Sequence, residues 1–116
     1  MRFKITGSGS YVPKLIKVND DFLDSEFYDN NGSSFKNSYS EIIDKFVSIT
    51  GIQERKYASE KLNSSDLATK AANDAINDSK IDPETLDYII FAHNFGDISC
   101  NSKQVDNLPA LATKVK

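Results

Sequence analysis

Hydrophobic and polar positions alternate from the start of the chain. Phe3, Ile5, Gly7, Gly9 and Tyr11 fall on one face, with Arg2, Lys4, Thr6, Ser8 and Ser10 on the other, which predicts a strand. Gly7 and Gly9 leave room within it for another backbone to come close, and Pro13 ends it. Residues 19–28 predict a short helical turn, capped by Asn19 or Asp20 and apolar at Phe22, Leu23 and Phe27; residues 29–40 carry the strongest loop composition in the chain. From Ser40 the period changes: Ile42, Ile43, Phe46, Val47 and Thr50 share one helical face, and Gly51 stands at the natural stop. Residues 52–58 predict a second short strand. Ser64 and Ser65 are placed to cap the strongest helix, whose buried stripe is Leu67, Ala68, Ala71, Ala72, Ala75 and Ile76. A stripe made mostly of alanine implies that this helix lies close against its sheet.

Pro83 restarts the chain after the turn at Ile81-Asp82. Residues 86–93 are nearly all apolar, as in a parallel strand covered on both faces. Strand, helix and apolar strand together predict a right-handed βαβ unit with a mostly parallel sheet. The polar loop 94–107 then lies beyond the carboxyl end of that strand, where open α/β sheets place their ligands. Pro109 fits the first turn of a helix, and Leu111, Ala112 and Val115 begin an apolar stripe that stops at Lys116 with no capping glycine. The expectation is an incomplete α/β sheet, cut before it is finished, whose open edge self-associates or dimerises.

Composition narrows the classes. A chain of 116 residues suffices for one domain, burying roughly two-thirds of its unfolded surface. The net charge of −3, with Arg2 and Arg55 the only arginines and the lysines scattered, offers no basic patch, so no nucleic acid is expected as a partner. No stretch approaches the roughly 20 apolar residues of a membrane span, and the opening MRFKITGSGS lacks the apolar region of a signal peptide. The single cysteine, Cys100, excludes an intrachain disulfide. These features set the expectation of a soluble, cytoplasmic protein with no membrane partner.

Candidate chemistry is sparse. Gly7-Ser8-Gly9 lacks the third glycine of a dinucleotide fingerprint, because position 12 is Val12, and Tyr11-Val12-Pro13 follows instead of a helix. His93, Asp97 and Cys100 lie within eight residues of one another. A Cys–His pair could form a nucleophile and its base, giving a small hydrolase; the alternative is three loop residues without a role. One His and one Cys are too few for a metal site. Asp20-Asp21 and Asp82/Glu84 stand at helix starts, where they complement the dipole.

Three motifs, in order and spacing, resemble the N-terminal part of the β-ketoacyl-acyl-carrier-protein synthase III family: ITGSGSYVP (Ile5–Pro13) followed by Asn19-Asp20; TGIQERKYAS (Thr50–Ser59); and SSDLATKAANDAINDSKIDPETLDYIIFAHN from Ser64. The resemblance implies an incomplete N-terminal half of a thiolase-like fold, usually dimeric. It implies decarboxylative Claisen condensation of an acyl thioester, on CoA or acyl-carrier protein, with malonyl-acyl-carrier protein. No cofactor or metal is implied. The family's nucleophilic cysteine opens a helix that the element order places after Lys116, so no catalytic residue is expected in this chain, and Cys100 is not the nucleophile. Leu108 stands where the family has an acyl-pocket aromatic, making it the candidate substrate-binding residue, with a place in the core as the alternative. The CoA-contacting Trp and Arg of the family correspond to Lys45 and Ile49, and an isoleucine cannot bind phosphate or stack on adenine as arginine does. A non-catalytic thiolase-fold partner or scaffold subunit is the alternative.

Overall fold

The computed structural model describes residues 4–102, 104–106 and 108–116. The chain forms two compact units, Lys14–Tyr57 and Met1–Pro13 with Ala58–Lys116.

In the Lys14–Tyr57 unit, β1 (Leu15–Val18) pairs antiparallel with β2 (Glu54–Tyr57), Leu15 opposite Tyr57 and Val18 opposite Glu54. A 3₁₀ turn, Asn19–Phe22, follows β1 directly, and Asp21 Oδ2 accepts the Val18 N–H at 2.9 Å. The polar loop closes on itself. Asp29 Oδ1 accepts the N–H groups of Asn31 and Ser33 at 2.8 and 2.9 Å, and Tyr28 bridges to Ser34. Helix α1 (Tyr39–Thr50) starts one residue earlier than the apolar period suggested, because Ser38 caps it. Ser38 Oγ accepts the Glu41 N–H, while Glu41 Oε2 accepts the Ser38 N–H at 3.0 Å, a reciprocal capping box. Gly51 ends the helix at φ 68°, the left-handed conformation that glycine adopts without steric cost. Ile43 is buried, and Phe22–Phe46, Phe27–Phe46 and Phe27–Tyr39 pack edge to face.

The other unit is organised by α2 (Ser64–Ser79), followed by a 3₁₀ turn at Pro83–Thr85 and by α3 (Leu111–Val115), which packs on α2. Asn63, rather than Ser64 or Ser65, is the residue before the first helical turn of α2, and Asp66 Oδ2 accepts its N–H at 2.8 Å. All six residues of the predicted stripe are half-buried. A Cβ on Gly7 would stand 2.6 Å from the Ala75 carbonyl oxygen, and one on Gly9 would collide with the Ala75 nitrogen and Ala71 carbonyl. The close approach read from these glycines is therefore present, with helix backbone as the partner. Leu111 is buried at 4% exposure, and Pro109 lies just before the residue that caps α3.

An α/β chain is what the structure contains, and three expectations change. The first predicted strand begins at residues outside those described. From Lys4 onward it pairs with no strand: Ser8 and Ser10 donate their N–H groups to Asp78 Oδ2 and Asp74 Oδ2 of α2, at 2.9 and 3.2 Å. Residues 86–93 likewise form no ladder, and Tyr88 and Ile90 are 87% and 93% exposed instead of covered on both faces. The sheet among the described residues is antiparallel and two-stranded, so the parallel βαβ pairing is not formed there. Its first strand, LIKV, escaped the sequence reading because all four residues are exposed, which removes the alternation by which strands are read.

Candidate functional site

The structure separates the trio His93, Asp97 and Cys100. Cys100 is exposed, and among the described residues no hydrogen bond joins it to His93. His93 Nδ1 accepts the Gly96 N–H at 2.8 Å, which fixes its proton on Nε2 in the neutral ring, and the ring leans on Phe91. Asp97 is buried at 1% exposure and fully engaged. Its Oδ1 accepts the Ser65 N–H at 2.9 Å, and its Oδ2 accepts the Ser65 hydroxyl at 2.7 Å and Lys114 Nζ at 3.0 Å. Burial alone would raise the Asp97 pKa. The Ser65 hydroxyl, the Ser65 amide and Lys114 outweigh that and hold it below the ordinary aspartate value. The hydrogen bond that Lys114 donates to Asp97 correspondingly raises the Lys114 pKa. A carboxylate so committed is not free to orient a histidine, and the arrangement is no nucleophile–base pair. Ser65 and Lys114 were not singled out as partners of Asp97; the sequence offered only Ser65 as a cap, and no spacing rule links positions 65, 97 and 114. No group of three metal-ligating side chains occurs among the described residues.

Parts of two motifs that carry the family resemblance, Asn19 and the Thr50–Arg55 stretch, meet in space. Thr50 donates its hydroxyl to the Phe46 carbonyl and accepts the Ile52 N–H at 3.1 Å, while Gly51 reverses the chain. The Ile52 carbonyl then accepts Asn19 Nδ2 at 3.0 Å, and Asn19 Oδ1 accepts Arg55 Nη1 at 2.6 Å. Arg55 lies over the rings of Phe22 and Phe46, 5.6 and 5.2 Å from their centroids. Asn19 is buried at 7% exposure with both ends of its amide bonded. Asn19, Thr50, Ile52 and Arg55, with the turn at Gly51, thus form one polar knot that sets how α1 joins the hairpin.

Lys45 and Ile49, the two positions that the resemblance sets against the family's Trp and Arg, lie one turn apart on α1. Lys45 is exposed and Ile49 is 78% exposed, so neither residue serves the core. Leu108 is 87% exposed, three residues before the buried Leu111.

Comparison with known proteins gives relatives of one name. The chain is 35% identical over 99 residues to a β-ketoacyl-acyl-carrier-protein synthase III of Staphylococcus haemolyticus, covering 84% of this chain and 27% of the relative. It is 41% identical over 90 residues to the enzyme of that name from Clostridium acetobutylicum, covering 77% and 23%. With that of Rickettsia typhi it shares 33% identity over 116 residues, covering 99% and 30%. The resemblance is to β-ketoacyl-acyl-carrier-protein synthase III. No family profile matches the chain. The chain spans about a quarter to a third of the length of the synthase III relatives cited. Among the described residues no helix is long and apolar enough to cross a membrane.

Proposed function

We propose that this chain is the N-terminal portion of a synthase III-like condensing acyltransferase with a thiolase-like fold. The parent protein would join an acyl thioester to malonyl-acyl-carrier protein by decarboxylative Claisen condensation. The observation that carries this reading is identity of 33–41% across 77–99% of the chain to proteins of that name. The joining of the two family motifs through Asn19 and Arg55 supports it, since residues separated by 36 positions share one structural task. The nucleophilic cysteine, with its histidine and asparagine, would come from outside the 116 residues. In the longer fold, the exposed Tyr88 and Ile90 would be covered by neighbouring strands and helices. Leu108 would line the acyl pocket. The acyl carrier and a second copy of the protein are the partners proposed, in the cytoplasm.

The exposed Ile49 favours one alternative. A surface isoleucine where the family has a phosphate-binding arginine suits a donor other than acyl-CoA, or a thiolase-fold subunit without catalysis. Incubating the 116-residue chain with radiolabelled acetyl-CoA tests the placement of the nucleophile. No protein-bound acyl group is expected; stoichiometric labelling lost on Cys100→Ser would overturn it. Reading the coding sequence past codon 116 separates enzyme from scaffold, by a cysteine at the next helix start.

A further inference from the structure

Asp97 is a buried acid that the proposed chemistry does not use, and it joins three parts of one unit. It lies in the loop after residue 93, bonds Ser65 in the first turn of α2, and pairs with Lys114 of α3. Among the described residues, the charged or titratable groups around it are few. Lys114 faces it from α3. Asp106 lies across the backbone bridge, where its N–H donates to the Asp97 carbonyl at 2.8 Å, and its carboxylate is 3.5 Å from Lys114 Nζ. His93 touches the loop through Gly96, and Asp66 of α2 is occupied by the Asn63 N–H. The Ser65 amide, Ser65 hydroxyl and Lys114 ammonium all act as donors toward Asp97, so the place suits an anion and suits a neutral acid poorly. The first turn of α2 adds its own preference for negative charge.

We propose that the Asp97 carboxylate is a latch: it ties the loop after residue 93 to the N-terminal turn of α2 and to α3, and without its charge that loop swings free while α2 stays folded. Among the described residues, the loop is otherwise held by short-range bonds, Gly96 N–H to His93, Ser102 N–H to the Ser99 carbonyl and Gln104 N–H to the Ser102 hydroxyl, by the Asp106 bridge, and by the Asp106–Lys114 ion pair to α3. None of these reaches α2. Release of the latch therefore removes the loop's hydrogen-bonded hold on that helix.

Hydrogen–deuterium exchange on the 116-residue chain and its variants tests this. In Asp97→Asn the amides of Gly96, Ser102 and Asp106 should exchange at least tenfold faster, with less than twofold change at residues 70–76 of α2. Lys114→Met, which leaves both Ser65 bonds, should speed the loop amides about threefold. Acidifying the wild-type chain until Asp97 is protonated should reproduce the Asp97→Asn loop pattern, and Asp97→Asn should show no such step. Loop exchange within twofold of wild type in Asp97→Asn would overturn the proposal. So would equal acceleration along α2, or loss of helical circular dichroism, since Asp97 would then serve overall stability instead of local closure.

Discussion

The two units solve the same problem, too little apolar area, by different means. Residues Lys14–Tyr57 bury Ile43, pair aromatic rings with one another and lay the Arg55 guanidinium over two of them. The unit containing α2 buries Leu111. It brings Gly7 and Gly9 against the backbone of α2 and anchors its loop by the buried Asp97. The first strategy depends on side-chain volume and tolerates half-exposed groups, because each ring still finds neighbours. The second depends on the absence of volume, so one added methyl group is felt at once.

Substitutions can break this contrast. The largest effect is expected for Gly9→Ala, whose Cβ would meet helix backbone that cannot move aside. A loss of about 3 kcal/mol is expected, at the upper end for overpacking, and urea unfolding followed by circular dichroism measures it. An unchanged midpoint would show that the glycines are not packed on α2. Phe46→Ala should cost about 2 kcal/mol, less than a fully buried phenylalanine because the ring is half-buried. Its effect should appear in exchange of α1 amides and leave α2 unchanged; spread to α2 would mean that the two units do not respond separately. Arg55→Lys keeps the charge but loses the planar group that both stacks and bonds Asn19, and about 1 kcal/mol is expected. Ser38→Ala removes one side of the capping box of α1 at about 1 kcal/mol or less, read as fraying of residues 39–42.

Acid sharpens the comparison by a sign that differs from that of base. The Asp97 pKa is lowered in the folded chain. Its contribution is therefore fully present above the unfolded value of about 3.9 and is lost as pH falls through the folded value. The raised pKa of Lys114 acts oppositely. Its contribution is present below about 10.4 and lost as pH rises through the folded value. In the other unit, the Ser38 amide lowers the Glu41 pKa, so the α1 cap too is lost in acid. Following Ser65 and Glu41 amide shifts by NMR against pH would separate them: the Ser65 step should vanish in Asp97→Asn, and the Glu41 step should remain.

Local signals were legible wherever a residue type does a local job. Gly51 ends α1, Asp82 Oδ1 accepts the Glu84 N–H at 3.0 Å to start the 3₁₀ turn at Pro83, and the alanine stripe of α2 is the face that meets Gly7 and Gly9. The resemblance to synthase III was legible too, because its motifs combine such local requirements in a fixed order. Less was legible of the candidate site. Leu108, Lys45 and Ile49 were found by correspondence with the family alone, and their exposure could not be read from periodicity.

The sequence by itself determined helix positions, turns and family resemblance, since these rest on contacts between residues close along the chain. Only the tertiary structure decided which backbone the glycines approach, which strands pair, and that Asp97, Ser65 and Lys114 meet. Backbone N–H groups carry no record of their partner: those of Ser8 and Ser10 could have bonded a strand and bond α2 carboxylates instead. A buried carboxylate likewise requires donors from anywhere in the chain, and only folding brings Ser65 and Lys114 within 3.0 Å of Asp97.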